Sequence, residues 1–329
     1  MTSTQNIGIV GAGAIGTAMA HQLSYKPELS VKLWSIEEMA IHQIKELRIN
    51  KKYFPKIKLN KSIYATADLD DLQDSHIVFL AIPSVTVVRF LEENAGIFGS
   101  NAVLVNLAKG FGPQNQLITD SISAVVTNPV ITLKGPSFAR ELINGQPTAF
   151  TLGATNPDCF EKFDKLFHQT CIYLDHSTDV RGVELASILK NIYAIVMGIV
   201  DANFDSPNLR SLMLTRAMNE MRRLLIRFGG QEKTMFNYCG FGDFTLTALN
   251  DMSRNRTLGL LIGKGFFTTN ISDKVVLEGR IAVNVFVTQL LRDCDVQVEY
   301  PIMAELHRVF NEDYDVSGFV SQVLNGEKH

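Results

Sequence analysis

Short, continuous apolar runs mark the first half of the chain. Each run lacks polar alternation, and stretches with helical character separate one run from the next. Six runs can be recognised, the last two weaker than the others: residues 7–10, 29–34, 77–82, 103–107, 130–133 and 150–152. Strands buried on both faces of a parallel sheet have this pattern. It predicts an α/β fold with a doubly wound, Rossmann-like and mostly parallel sheet.

The second half has apolar positions at helical spacing and no alternating strand pattern. A long apolar helix is predicted over residues 183–199, and further helices over 212–228, 280–291 and 302–310. We therefore predict a Rossmann-like domain over residues 1–180 and an all-helical domain over 181–329. Because no flexible linker separates the two, we expect the small-molecule site in a cleft between them.

Composition and charge exclude several classes of function. The 329 residues include 31 basic and 34 acidic residues, so the net charge of −3 leaves no basic excess for nucleic acid or an anionic membrane. The four cysteines are widely spaced, and we expect no metal site and no disulfide framework. The polar first six residues do not resemble a signal peptide, and Glu184 and Lys190 interrupt the most apolar stretch, residues 183–200. A cytoplasmic protein without an integral membrane segment is expected.

A glycine-rich loop, Gly11-Ala12-Gly13-Ala14-Ile15-Gly16, follows the first predicted strand and precedes a helical pattern. Gly11 permits a tight turn, Gly13 lets the backbone approach a pyrophosphate, and Gly16 lets strand and helix pack closely. The helix N-terminus then offers free N–H groups to the phosphates. At the start of a βαβ unit this motif indicates dinucleotide binding rather than a structural turn.

The choice between NAD and NADP stays open from the sequence. Glu37 or Glu38 can approach a ribose 2′-hydroxyl after the second strand, but each also suits the solvated first turn of a helix. Lys51 and Lys52 can reach a 2′-phosphate, although solvation at the surface is the more favoured interpretation of both.

Two polar segments of the helical half suggest chemistry. Lys190 lies among apolar residues, where an ammonium needs a partner or a function unless it snorkels to the surface; it can serve as a general acid or base. Ser253-Arg254-Asn255-Arg256 precedes an apolar helical stretch. Its serine suits a helix cap, and its two arginines offer a forked donor array for a phosphate.

Two glycine-containing segments also place charged residues. Lys109-Gly110-Phe111-Gly112 ends a buried strand, and ligands of such sheets bind outside the carboxyl ends of the strands. Gly240-Phe241-Gly242-Asp243 carries a carboxylate that either orients an ammonium or caps a helix. The residues alone do not choose between these two roles.

Together these segments resemble the bacterial-type NAD(P)-dependent glycerol-3-phosphate dehydrogenases, in order and over nearly the whole chain. The matching motifs lie at residues 11–18, 50–55, 109–110, 135–141, 182–185, 189–191, 215–216, 242–243, 253–256 and 276–279. The resemblance implies reversible reduction of dihydroxyacetone phosphate to sn-glycerol 3-phosphate, a phospholipid precursor, with NAD or NADP as cofactor.

The resemblance also implies roles for particular residues. Lys190 corresponds to the catalytic lysine, with Lys109 assisting it and Asp243 holding it in place. The substrate-contacting positions correspond to Lys109, Gly135, Ser137, Lys190, Asp243, Ser253, Arg254 and Asn255. The positions lining the dinucleotide correspond to Gly11, Gly13, Ala14, Ile15, Gly16, Lys109, Ala139, Arg254 and Glu278.

The chain departs from the family pattern at several of these motifs. Ile15 stands in place of an aromatic residue, Lys134 in place of a small one, and residues 203–207 replace a glycine-rich stretch. The added bulk of Phe204, Phe241 and Phe244 can reshape the pocket and so bears on cofactor preference and substrate range.

Two other functions remain as alternatives. A related two-domain dehydrogenase acting on another hydroxy acid or sugar phosphate would keep the glycine loop and the lysine, but need not keep residues 253–255. A catalytically silent nucleotide sensor would not need Lys190 and Asp243. A homodimer is a further hypothesis, since the helical half is apolar enough for one, although apolar helices also pack internally.

Overall fold

The computed structural model describes residues 4–266 and 274–325, with the backbone alone for 274–276. Within these residues the chain forms two compact units, which divide between Glu184 and Leu185. The first is built on an eight-stranded sheet, and the described residues of the second contain helices and no strand. The predicted fold class, a Rossmann-like sheet followed by helices, is confirmed.

Each of the six predicted apolar runs overlaps a strand of the sheet. Its strands are β1 Gln5–Val10, β2 Leu29–Trp34, β3 Tyr64–Thr66, β4 Ile77–Leu80, β5 Val103–Asn106, β6 Val130–Lys134, β7 Thr148–Gly153 and β8 Ile172–Ser177. Their order across the sheet is β3-β2-β1-β4-β5-β6-β7-β8, and neighbours are parallel except β6 and β7. The order reverses beside β1, so the glycine loop after β1 lies where doubly wound sheets bind their ligands.

Helices cover both faces of this sheet. They are α1 Ala14–Leu23, α2 Glu38–Leu47, α3 Ser84–Asn94, α4 Ile118–Val125, α5 Ala139–Ile143 and α6 Phe160–Phe167. Successive residues of β4 belong to different apolar cores: Phe79 packs into one, and Val78 and Leu80 pack into the other. The uninterrupted apolar runs therefore arise because each central strand is buried on both sides.

The sequence pattern does not predict β3 and β8, which form the two edges of the sheet. β3 has three residues, of which Tyr64 is exposed, and β8 includes the polar residues Asp175 and His176. An edge strand is only partly covered and therefore needs no continuous apolar run.

The helices after β8 are α7 Val180–Asn203, α8 Pro207–Arg227, α9 Asp243–Leu249, α10 Arg254–Gly263, α11 Lys274–Leu290, α12 Val296–Glu299, α13 Pro301–Asn311 and α14 Phe319–Asn325. The predicted helices correspond to α7, α8, α11 and α13. Within the described residues, α7 is the one helix long and apolar enough to cross a membrane, but 94% of its most apolar window is buried inside the protein. That burial is typical of a core helix.

Candidate active site

The glycine loop joins β1 to α1 in a turn that only glycine tolerates at two positions. Gly11 has φ of +110°, and a Cβ there would lie 2.8 Å from the carbonyl oxygen of Ala81. A Cβ on Gly16 would lie 2.0 Å from the carbonyl oxygen of Gly11. A Cβ on Gly13 would meet nothing nearer than 3.9 Å beyond its chain neighbours, so the backbone at Gly13 is open to a ligand.

The N-terminus of α1 fits the pyrophosphate of a dinucleotide. Gly13 precedes the helix and has no side chain to cap it, so the first turn keeps N–H donors for an anion. Ala14 and Ile15 lie half-buried in that turn, and both pack against the core on one face of the sheet. The open backbone and the free donors together suit NAD or NADP.

A second group of predicted residues lies at the carboxyl ends of β5 and β6. These strands are parallel neighbours, with Asn106 opposite Thr132, so Lys109 and Gly135 leave the sheet at the same edge. A Cβ on Gly135 would lie 2.4 Å from the carbonyl oxygen of Ala149. Ser137 Oγ donates to the Gly135 carbonyl at 3.0 Å, and Ala139 begins α5 two residues later.

Lys134, one of the departures from the family pattern, is buried at this edge. Its Nζ donates to the carbonyl oxygens of Asn106 at 3.1 Å and Ala108 at 2.5 Å. Asn106 Nδ2 in turn donates to Glu184 Oε1 at 2.7 Å, and Glu184 Oε2 accepts from Thr119 Oγ1 at 2.7 Å. These bonds brace the turn that leads into Lys109.

In the second unit Lys190 is buried and hydrogen-bonded. Its Nζ donates to Asp243 Oδ1 at 2.7 Å and to Thr247 Oγ1 at 2.9 Å. The two charged side chains are 5% and 1% exposed. Lys190 therefore does not snorkel to the surface, and Asp243 meets the ammonium at the start of α9.

The local chain explains how Asp243 reaches this position. One π-helical turn, Tyr238–Gly242, leads into α9, and a Cβ on Gly240 within it would lie 2.3 Å from the carbonyl oxygen of Met235. Thr247 was not predicted as a site residue. Its spacing of four residues from Asp243 puts both on one helix face, which is the signal that could have identified it.

The four residues at the start of α10 have separate functions. Ser253 Oγ accepts from the Arg256 backbone N–H at 3.2 Å, which makes Ser253 the N-cap. Arg254 is exposed at the first helical position, and neither it nor Asn255 has a side-chain hydrogen bond or ion pair within the described residues. Arg256 pairs with Asp201 at 2.8 Å and with Asp251. The prediction that both arginines are available to bind a phosphate is wrong for Arg256, because Arg256 forms an ion pair with the nearly buried Asp201 carboxylate.

Close backbone packing fixes α10 against α7. A Cβ on Gly259 would lie 1.9 Å from the carbonyl oxygen of Ile195, and a Cβ on Gly198 would lie 2.2 Å from that of Arg256. Asp201 also accepts from Arg210 of α8 at 2.6 Å. The helix that begins with Arg254 therefore has a fixed position along the helix that carries Lys190.

The other residues that the sequence analysis singled out in the helical half differ in their exposure. Glu278 is exposed on α11. Phe204 and Phe241 are partly exposed, whereas Phe244 is fully buried and fills the core of the second unit instead of lining a pocket.

Comparison with known proteins gives matches along both units. A family model described as the NAD-dependent glycerol-3-phosphate dehydrogenase N-terminus matches residues 6–160, and the corresponding C-terminus model matches residues 179–321. A relative from Geobacter sulfurreducens named glycerol-3-phosphate dehydrogenase (NAD(P)+) is 32% identical over 330 residues, which is 98% of this chain and 97% of the relative. One of the same name from Methanothermobacter thermautotrophicus is 33% identical and covers 96% of each chain.

A solved structure gives the same result. The crystal structure of glycerol-3-phosphate dehydrogenase from Coxiella burnetii superposes with a TM-score of 0.87 at 28% identity, over 97% of this chain and 98% of that one.

Proposed function

This chain belongs to the NAD-dependent glycerol-3-phosphate dehydrogenase family, and on that premise we propose which residues carry out its reaction. The chain is an oxidoreductase that reduces dihydroxyacetone phosphate reversibly to sn-glycerol 3-phosphate with NADH or NADPH. The observation that supports these roles most strongly is the buried Lys190 ammonium, which donates to Asp243 and Thr247.

Lys190 is the general acid of the reduction. The reduced dinucleotide, when bound, supplies the hydride to the ketone carbon, and negative charge develops on the ketone oxygen. The Lys190 ammonium stabilises that charge and donates the proton that converts the alkoxide to the hydroxyl group. Asp243 and Thr247 accept hydrogen bonds from Lys190 and so fix the orientation of its ammonium. By its correspondence with the family motif, Lys109 assists Lys190.

Arg254 and Asn255 bind the phosphate of the substrate. Arg254 is exposed and uncommitted within the described residues, and it lies at a helix N-terminus whose N–H groups favour an anion. Ser253 caps the helix and sets the direction of its first turn. Binding energy from the phosphate, which does not react, thus orients the ketone that does.

The glycine loop binds the pyrophosphate of the cofactor. Gly11 and Gly16 shape the turn, Gly13 leaves the backbone open, and Ala14 and Ile15 provide the first N–H groups of α1. Gly135 and Ser137 contact the substrate, while Ala139 and Glu278 line the dinucleotide. In this proposal the domain of residues 1–180 binds the cofactor, and the domain of residues 181–329 provides the general acid and the phosphate site.

The direct test is the loss of NADH or NADPH absorbance with dihydroxyacetone phosphate, beside unphosphorylated dihydroxyacetone at equal concentration. We expect turnover with the phosphorylated ketone only. Equal rates with both ketones would contradict the Arg254 phosphate site, and turnover of another hydroxy-acid or sugar-phosphate substrate alone would support the alternative dehydrogenase. Binding of cofactor without any turnover would indicate a nucleotide sensor.

We also expect a cytoplasmic enzyme and a homodimer. Large apolar side chains exposed on the second unit, among them Phe236 at 77% and Phe241 at 51%, support an interface there. Sedimentation at micromolar concentration tests the assembly, and a monomer would refute it.

A further inference from the structure

Hydrogen bonds hold two separate charged segments beside the glycine loop. The Gly11 backbone N–H donates to the carbonyl oxygen of Trp34 at 2.8 Å, so the end of β2 lies beside the loop. Asn50 is fully buried, and its Nδ2 donates to the carbonyl oxygen of Ala12 at 2.9 Å and to Thr17 Oγ1 at 2.9 Å. The turn that follows Asn50 is therefore also fixed to the loop.

Each of these segments carries a charge that pairs with the other. Glu37 follows the end of β2 and Lys52 follows Asn50, and Lys52 Nζ lies 2.9 Å from Glu37 Oε1 and 3.2 Å from Oε2. Ser35 Oγ accepts from the Glu37 backbone N–H at 3.1 Å and so fixes the chain where α2 begins. The hydrogen bond to Glu37 raises the pKa of Lys52.

The pair lies at the position where folds of this class contact the adenosine ribose. In doubly wound dinucleotide-binding folds the residues after the second strand meet the ribose 2′ position, and an acidic residue there binds the 2′-hydroxyl. Glu37 lies 21 residues beyond Gly16 in this sequence, close to the usual spacing. Since the side chains of Glu37 and Lys52 are 48% and 58% exposed, a ligand can reach both.

We propose that the Glu37–Lys52 ion pair determines cofactor preference and favours NADH over NADPH; the proposal rests on the function given above. A 2′-hydroxyl can donate to Glu37 while the ion pair stays intact. A 2′-phosphate would lie against the Glu37 carboxylate, and Lys52 is only partly available to bind it because both carboxylate oxygens of Glu37 already accept from its Nζ. Lys52 nevertheless offsets part of the repulsion, so NADPH is still accepted.

The two members of the pair should therefore act in opposite directions. Glu37→Gln removes the repulsion and frees Lys52 for the 2′-phosphate, which shifts preference toward NADPH. Lys52→Met removes the cation that offsets Glu37, which shifts preference further toward NADH. Lys56→Met is the matched control, since it removes the charge of another exposed lysine four residues along.

Trp34, the single tryptophan, gives a readout that needs no turnover. It is the last residue of β2, and quenching of its emission by bound NADH or NADPH yields both dissociation constants for the whole enzyme without substrate. We expect wild type to bind NADH at least about threefold more tightly, as for one exposed charge interaction. We express preference as the affinity for NADH divided by the affinity for NADPH. We expect Glu37→Gln to lower this ratio by at least about threefold and Lys52→Met to raise it by a similar factor.

The control should leave the ratio of affinities at its wild-type value. A wild-type preference for NADPH would overturn the proposal, as would variants whose ratios both stay at the wild-type value or move in the same direction. Because these are binding constants, they test the ion pair even if dihydroxyacetone phosphate proves not to be the substrate; failure of the proposed function appears separately, in the absorbance assay.

Discussion

Lys190 Nζ and Asp243 Oδ1 lie 2.7 Å apart in an ion pair that is almost completely removed from solvent. Removing two charges from water costs free energy that their attraction offsets only partly, so such a pair contributes little to stability. It does provide an ammonium with a fixed direction. The pair therefore fits a catalytic group better than a structural brace.

Asp243→Asn should impair both catalysis and stability. Because the substitution leaves a buried ammonium without its counter-charge, we expect a loss of about 3–5 kcal/mol in the free energy of unfolding and a fall in kcat of at least about a hundredfold. Thr247→Val removes one hydrogen bond to the same ammonium and should cost about 1 kcal/mol. Urea denaturation and steady-state kinetics measure these effects, and equal effects of the two substitutions would contradict the assigned role of Asp243.

The two arginines of α10 should give opposite results. Arg254→Ala should raise the KM for dihydroxyacetone phosphate at least about tenfold, since a charged phosphate contact is lost, and should leave the melting temperature unchanged. Arg256→Ala leaves Asp201 without one of its two cations and should destabilise the fold by about 3 kcal/mol. If Arg256→Ala alone raised KM while the fold kept its stability, the phosphate assignment would belong to Arg256.

Gly259→Ala should separate α7 from α10. The new Cβ would lie 1.9 Å from the carbonyl oxygen of Ile195, a backbone atom that cannot move alone. We expect a loss of about 2 kcal/mol or more in the free energy of unfolding, as for other overpacked contacts. Gly96→Ala is the control, because a Cβ added at Gly96 would meet no heavy atom within 4 Å beyond its chain neighbours. Similar melting temperatures for the two variants would show that the helices do not pack this closely.

Glu220 should make stability depend on pH. It is buried and accepts from Tyr193 Oη at 2.7 Å and from the Met303 backbone N–H at 2.7 Å, and burial raises its pKa from 4.5 to about 7. Between these values the unfolded chain loses the proton and the folded chain keeps it. The contribution of Glu220 to stability therefore falls as pH rises through this range, by up to about 3 kcal/mol.

Comparison with Glu220→Gln isolates this effect. The melting temperature of the wild-type protein, relative to that of the Gln variant, should decline between pH 4.5 and 7 and then level off. A constant difference over that range would show that Glu220 ionises normally in the folded protein.

The central elements of the fold are predictable because their burial appears directly in the sequence. Residues 29–34 form a strand with the predicted bounds, and the apolar spacing around Lys190 predicts α7. The edge strands β3 and β8 are not predictable in this way, because a half-covered strand carries polar residues such as Asp175. The hydrophobic pattern of a segment indicates how deeply it is buried, and edge strands are less buried than central ones.

The site is predictable as a set of residues but not as a set of contacts. The sequence identifies Lys190 and Asp243 separately, yet they are 53 positions apart and only the fold brings them together. Likewise, nothing near Arg256 in the sequence indicates that Asp201, 55 positions away, binds it and leaves Arg254 uncommitted. Which charged residues pair across such long stretches of sequence depends on tertiary packing. No local pattern in a single sequence shows that packing.

The most direct test of the account is the turnover of Lys190→Ala with NADH and dihydroxyacetone phosphate. We expect kcat to fall at least about a hundredfold, the scale for loss of a general acid, while NADH affinity measured by Trp34 quenching stays at the wild-type value. Added methylammonium should restore part of the rate, because it can occupy the space of the missing side chain and donate the proton. A kcat within a few-fold of wild type would remove Lys190 from the mechanism.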